Sequence, residues 1–326
     1  MIKYCHSQEK YWLNQKMIDM MDLHRPRKKT SSDQYLLRSL FFIPGHVEKY
    51  LTKAHEIEAD AIILDVEDSV PVQNKELARR NIHDILHSER LNHKQIIIRI
   101  NELDEGELLN DFDAVLHPDV LAIMPAKIYS ERDMAFFNEI LFQYEKKLGI
   151  SRGHIKLIPL IETLLAFENI NHIANSCDRL IALAFGGEDY LKELGGAHGE
   201  NDHTFDYPRT KIAIAAKAAG LQAIDTPYLD VHDIVGFSAR EQKSRDLGFE
   251  GCLLIHPKQI EIANDKFSPS KEEYEKAKQI FESVQKSKEM GLSVALLNGV
   301  LIGPPMMKNA MKTLEKQELI NKTNEK

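Results

Sequence analysis

Eight short apolar runs, rich in β-branched residues, recur along the chain with longer amphipathic stretches between them. They occupy 39–44 (SLFFIP), 61–65 (AIILD), 95–100 (QIIIRI), 120–124 (VLAIM), 155–161 (IKLIPLI), 179–185 (RLIALAF), 222–225 (QAID) and 251–255 (GCLLI). Runs apolar on both faces suit parallel strands covered by helices, because a strand with one wet face would alternate polar and apolar residues. The stretches between them carry helical spacing at 47–57, 75–86, 132–147, 164–174, 210–219 and 232–247, with a weaker pattern at 107–116. Eight β–α units in this span are the size of an α/β TIM (β/α)₈ barrel. An open doubly wound sheet is the alternative, but no G-x-G-x-x-G follows the first run.

The flanks differ from this repeat. Residues 1–34 carry the basic run His24-Arg25-Pro26-Arg27-Lys28-Lys29 and read as an appended N-terminal extension. A barrel is expected over 35–268 and a C-terminal helical and hairpin extension over 269–326. In the latter, a charged helix from about 271 to 290 is stopped by Gly291. Asn298-Gly299 then marks a hairpin. Pro304-Pro305 opens a last helix near 306–319. The formal net charge of −8 argues against a nucleic-acid binder, which needs a basic surface to meet phosphates. Three widely spaced cysteines, Cys5, Cys177 and Cys252, fit free thiols rather than a disulfide framework or a zinc site. No apolar stretch approaches the ~18 residues of a membrane span, and no secretory apolar core opens the chain. The expectation is a cytoplasmic protein without membrane partners.

In a barrel of this kind the chemistry lies where the strands end. Polar groups stand there repeatedly: Asp65, Glu67 and Asp68 after the second run, Arg99 and Asn101 at the third, and Lys127 after the fourth. Glu162 follows the fifth, Gly186-Gly187-Glu188-Asp189 the sixth, Asp225 ends the seventh and His256 follows the eighth. Charges entering apolar strands are costly unless paired or metal-bound. Glu162 with Asp189 suits a hard cation such as Mg2+, which uses one or two carboxylates; an ion pair at the barrel mouth is the other reading. Arg99 has the planar fork that grips a carboxylate, either a substrate's or that of a neighbour such as Glu67. Lys127 is a cation near a developing enolate or a surface lysine. His256 reads as a loop former.

Taken together, RSLFFIPG (38–45), ADAIILDVEDSV (59–70), IIIRIN (96–101), LIPLIET (157–163), LAFGGEDY (183–190), AAGLQAIDTPYLD (218–230), LGFEGCLLIHPKQI (247–260) and FSPS (267–270) resemble one family. It is the citrate lyase β-subunit-like group of the HpcH/HpaI aldolase superfamily, which includes malyl-CoA and citramalyl-CoA lyases. The resemblance implies a TIM barrel, Mg2+, and carbon–carbon lyase or condensation chemistry between an acyl-CoA and a 2-oxo acid. It implies Glu162 and Asp189 as metal ligands and Arg99 and Glu67 as catalytic groups. Arg99, Gly187 and Glu188 would bind substrate. It also implies a homotrimer, or a hexamer of trimers, whose C-terminal segment reaches a neighbouring subunit. One position departs from the pattern. Gly303 stands where the family carries an acid/base aspartate, and no Asp or Glu occurs between Glu289 and Glu315. Loss of a general acid/base costs about 10²–10⁴-fold. A CoA-independent metal-dependent aldolase, or a non-catalytic ligand-binding homologue, is therefore the alternative expectation.

Overall fold

A computed structural model describes residues 34–91, 93–290 and 295–324 of the chain. The expectations for the N-terminal arm, Cys5 and the Gly291 cap lie outside these residues. The strands are β1 (Ser39–Pro44), β2 (Ala61–Asp65), β3 (Gln95–Ile100), β4 (Val120–Pro125), β5 (Lys156–Leu157), β6 (Leu160–Ile161), β7 (Ala182–Phe185), β8 (Gln222–Asp225) and β9 (Gly251–Leu254). They form one curled sheet in the order β5-β4-β3-β2-β1-β9-β8-β7-β6, and every pairing in it is parallel. The expected fifth strand is split at Ile158-Pro159, where proline has no N–H for a ladder. Its two halves stand at opposite ends of the sheet order. A bridge between Leu157 and Leu180 brings those ends together.

The helices are α1 (Glu48–Leu51), α2 (Lys75–His87), α3 (Leu108–Val115), α4 (Glu131–Leu148), α5 (Leu164–Ala174), α6 (Gly187–Leu194), α7 (Asp206–Ala218), α8 (Ile234–Leu247) and α9 (Lys258–Lys266). Two of these, α6 and α9, were not legible as helices in the sequence, while the helix expected at 47–57 is reduced to α1 and a 3₁₀ turn at Ala54–Glu56. The apolar residues divide by strand parity into two clusters. Ile62, Leu64, Ile96, Ile98 and Leu254 pack outward against the helices. Leu40, Ala61, Ile63, Ile97, Met124, Leu160 and Ala184 fill the inner face. Successive side chains on a strand alternate faces, so Asp65 follows Ala61 and Ile63, Arg99 follows Ile97, and Glu162 follows Leu160. Parity alone therefore sends these three charges to the inner face at the C-terminal ends of the strands.

The same parity sends Asp225 the other way. It is fully buried on the helix side, where its carboxylate accepts from Arg209 Nε at 3.0 Å and from Ser244 Oγ. The sequence placed it among the rim groups; it instead pins α7 and α8 to β8. Cys252 is buried and Cys177 half-buried, and both are free thiols.

Beyond the sheet, α10 (Lys271–Glu289), the hairpin β10 (Ala295–Leu297) and β11 (Val300–Ile302), and α11 (Pro304–Asn324) share a small core of Ala277, Ile280, Ala295, Ile302 and Ala310. Asn298 (φ 51°) and Gly299 (φ 79°) form the left-handed pair a two-residue hairpin turn requires. The side chains of α11 meet Leu36, Leu37, Phe249 and Phe267 around a cavity of about 220 Å³. Leu36, Leu37 and Phe249 lie just before β1 and β9, so the extension covers the end of the sheet opposite the three charges. Among the described residues no helix is long and apolar enough to cross a membrane.

Candidate active site

Asp65 ends β2 and carries no exposed surface. Its carboxylate accepts from Arg99 Nε at 2.7 Å and Nη2 at 2.6 Å, from the Glu67 amide at 3.0 Å, and from Ser69 Oγ. Burial alone would raise its pKa, but Arg99 and these donors hold it below the usual carboxylate range. Arg99 also lies 3.2 Å from Glu67 Oε2 through Nη1 and stacks 4.6 Å from the centre of the inward-facing Phe42 ring. The ion-pair reading of Arg99 is thus realised, with Asp65 as well as Glu67. Arg99 is gripped by protein carboxylates, and it faces the mouth with its side chain still 14% exposed.

Glu67 sits in the loop after β2. Lys75, at the start of α2, shapes this loop by donating to Val66 O at 2.9 Å, Glu67 O at 3.0 Å and Asn101 Oδ1. The Glu67 side chain meets Arg99 on one oxygen and Lys127 Nζ, at 3.0 Å, on the other. Burial raises its pKa against the pull of Arg99. Lys127 adopts a left-handed φ of 48° after β4. Its ammonium stays charged because Glu67 outweighs its partial burial, and Asp68 and Glu102 both stand 3.8 Å away.

Glu162 lies between β6 and the N-cap of α5. Thr163 caps that helix by accepting from the Ala166 amide at 3.1 Å, and its hydroxyl donates to Ile128 O at 2.7 Å. The preceding carboxylate is thereby fixed, with 4% exposure. One oxygen, Oε1, accepts from the Lys127 amide at 2.7 Å. The other lies so close over Gly186 that a Cβ there would stand 2.1 Å from it. Only glycine permits this approach. Burial, reinforced by Asp189 and Glu67, pushes the Glu162 pKa up to about 8.

Gly186 and Gly187 lead into α6. The Gly187 amide donates to Thr226 Oγ1 at 2.9 Å. Asp189, in the first turn of α6, is half-buried, and among the described residues no hydrogen bond or ion pair engages its carboxylate. Glu188 is exposed and pairs with His198 at 3.1 Å, so of the Gly187–Glu188 pair only Gly187 joins the cluster. His256 accepts from the Lys258 amide at 3.3 Å and shapes its own loop. Sequence reasoning missed Lys75 and Thr226. Thr226 was discoverable by parity, two residues beyond the inward Ile224; Lys75 carried no signal beyond its place at a helix start.

The mouth therefore joins two halves, an ion-paired half around Arg99 and Lys127 and an acidic half at Glu162 and Asp189. Among the described residues no three acidic, His or Cys side chains gather as a metal site. A two-carboxylate site still fits Mg2+, which keeps its remaining positions for water or substrate oxygens. Two features of the donor set support the fit: the burial and like charges that raise the Glu162 pKa, and, among the described residues, the absence of a protein cation on Asp189. A hard divalent cation would relieve both.

Comparison with known proteins identifies the family. The β subunit of citrate lyase from Haemophilus influenzae is 32% identical over 281 residues, covering 86% of this chain and 97% of that protein. Human mitochondrial citramalyl-CoA lyase is 29% identical over 287 residues, covering 85% of this chain and 84% of that protein. The structure of CitE from Mycobacterium tuberculosis, in complex with magnesium, acetoacetate and coenzyme A, shares the fold with a TM-score of 0.66 at 24% identity, covering 86% of this chain and 97% of that one. Residues 38–257, which contain every charge of the mouth described above, match the family's pattern, and the chain belongs to the HpcH/HpaI aldolase/citrate lyase family.

Proposed function

We propose that this chain is a magnesium-dependent carbon–carbon lyase, or runs the reverse condensation, on a hydroxy acid or its CoA thioester, with a 2-oxo acid as the other partner. The observation that carries the reading is the placement of Glu162, Asp189 and Arg99 around one mouth. The curled sheet is read as a closed (β/α)₈ barrel over 35–268, its fifth strand interrupted at Ile158-Pro159. Glu162 and Asp189 would hold Mg2+, which supplies Lewis-acid polarisation of a substrate oxygen. Arg99 binds the oxo-acid carboxylate and offsets negative charge as it develops during bond cleavage. Asp65 fixes its guanidinium plane, and Phe42 supports it from below. Glu67, buried and with a raised pKa, would exchange a proton with the substrate hydroxyl. The Gly187 amide, held by Thr226, lines the same mouth; Glu188 lies at its edge.

The relatives' substrates point to a CoA thioester. Gly303 favours a second reading, because it offers no proton to the enolate carbon left by cleavage: an aldolase that needs no CoA, or a homologue that binds without turnover. We read the chain as a homotrimer or hexamer. Leu296, Val300 and Leu301, 62, 56 and 58% exposed on the hairpin, form an apolar tip suited to a neighbouring copy. Purified protein with magnesium, assayed against malyl-, citramalyl- and 3-hydroxy-3-methylglutaryl-CoA and then against free 4-hydroxy-2-oxo acids, tests the proposal. Turnover of a thioester supports the first reading. Turnover of free acids alone supports the aldolase, and metal-dependent binding of oxaloacetate without turnover supports the binding homologue.

A further inference from the structure

Among the described residues, Lys127 is the one that hydrogen-bonds to both halves of the mouth. Its amide donates to Glu162 Oε1 at 2.7 Å, and its ammonium donates to Glu67 Oε1 at 3.0 Å. Its left-handed φ of 48° turns the chain at the end of β4, so that the amide addresses the end of β6 while the side chain runs back over the end of β2. An L-residue rarely adopts this conformation without a reason. The consequence for Glu162 is a division of labour between its oxygens. Oε1 is committed to the amide, while Oε2 lies over Gly186, at the entry to the helix that carries Asp189. Glu67 is divided in the same way, with Oε1 on Lys127 and Oε2 facing Arg99. A continuous chain thus runs from Glu162 through Lys127, Glu67 and Arg99 to Asp65, alternating in charge character at each step.

We propose that Lys127 is a positioning residue that couples the two halves. Its amide presents Glu162 Oε2 to the cation, and its ammonium holds Glu67 so that Arg99 keeps the orientation that receives the oxo acid. The proposal rests on the functional reading above for the identity of the ligands, not for the geometry. Removing the ammonium leaves Glu67 to compete with the ligand for Arg99. Removing the left-handed turn moves the amide off Glu162. The two effects separate by choice of substitution.

The test measures Mn2+ affinity by electron paramagnetic resonance of the free ion, and oxaloacetate binding in saturating Mn2+ by calorimetry. Lys127→Met should weaken oxaloacetate binding on the order of tenfold and change Mn2+ affinity by less than about threefold. Lys127→Arg should restore most of the oxo-acid affinity. In a Glu67→Gln background the loss caused by Lys127→Met should disappear, since Lys127 acts through Glu67. Lys127→Gly keeps the amide and the turn, and should bind Mn2+ like the wild type. Lys127→Val disfavours the turn and should bind it on the order of tenfold more weakly. An undiminished Lys127→Met effect in the Glu67→Gln background overturns the coupling, as does equal Mn2+ affinity of the Gly and Val variants. If the wild type binds Mn2+ but no oxo acid, the functional reading fails by itself. Thermal unfolding of the Lys127→Met/Glu67→Gln cycle then decides the pairing: non-additive shifts support it and additive shifts reject it.

Discussion

Glu162 shows how one buried carboxylate sets the behaviour of the mouth. Without a cation its proton is retained to a pH of about 8, because burial and the nearby Asp189 and Glu67 penalise the charge. Its pKa is thus higher in the folded chain than in the unfolded one. The folded state holds the extra proton between about 4.5 and about 8, so this group's stabilising contribution is complete below that window and is lost as the pH rises through it. Metal-free protein should lose stability across that interval, by an amount on the order of a few kcal/mol. Glu162→Gln should flatten the loss, as urea titrations at pH 5, 6, 7 and 8 would show; an unchanged slope in the variant would assign the proton elsewhere. Metal binding must displace the same proton. Mg2+ affinity should therefore increase with pH up to about 8 in the wild type, and calorimetry in buffers of different ionisation enthalpy should detect proton release below that pH. Glu162→Ala should abolish specific Mg2+ binding, and retained affinity in that variant would remove Glu162 from the metal site.

At the scale of elements, the α6 turn places backbone where a side chain would intrude. Gly186→Ala would bring a methyl 2.1 Å from Glu162 Oε2 and 2.5 Å from its Cβ. Either α6 or the Glu162 side chain must shift, and Mg2+ affinity should fall at least about tenfold while the core strands keep their protection. Hydrogen exchange resolved by peptide would separate this local effect from unfolding, and unchanged metal affinity would show that Oε2 is not the ligating oxygen. The diglycine was visible in the sequence as part of a strand end, yet the helix it opens was not. A Gly-Gly-Glu-Asp start carries two weak helix formers, and Tyr190 becomes informative only once packed against Phe167 and Phe185. Most strands were legible because apolar runs with polar ends need no tertiary information. Asp225 was misread for the opposite reason. Its strand end is the same, but whether a terminal residue faces inward or outward depends on parity within a four-residue strand, and the partners Arg209 and Ser244 come from the helices that flank that strand, 16 and 19 residues away. The positions of Glu162, Asp189 and Arg99 at the strand ends were legible from the sequence, whereas the Lys127 turn depends on a backbone angle that residue identity does not encode.

In the whole molecule the proposed site and the C-terminal extension lie at opposite ends of the sheet. Within one chain, Gly303 follows β11 beside a helix that covers the N-terminal strand ends, so an acid introduced there serves its own mouth poorly. It would serve a neighbour's if copies associate through the exposed hairpin tip. Gly303 tolerates the change: a Cβ would meet only Pro305 Cδ, at 3.7 Å, and the residue immediately precedes α11, where aspartate is a favoured helix cap. Gly303→Asp should therefore leave stability unchanged or raise it by a few tenths of a kcal/mol, measurable as the urea midpoint. If the missing proton donor is what limits acyl-CoA cleavage, the variant should gain citramalyl- or malyl-CoA lyase activity on the order of 10²-fold or more. The direction of service is decided by mixing. Glu162→Ala subunits lack a metal site but keep a normal mouth elsewhere, and Glu162→Ala/Gly303→Asp subunits add only the acid. Co-assembled with wild-type subunits, the double variant should raise activity at the wild-type mouths, while the single variant should not. Equal activity in the two mixtures, or sedimentation of the chain as a monomer at micromolar concentration, would confine the acid to its own chain and remove the neighbouring subunit from the mechanism.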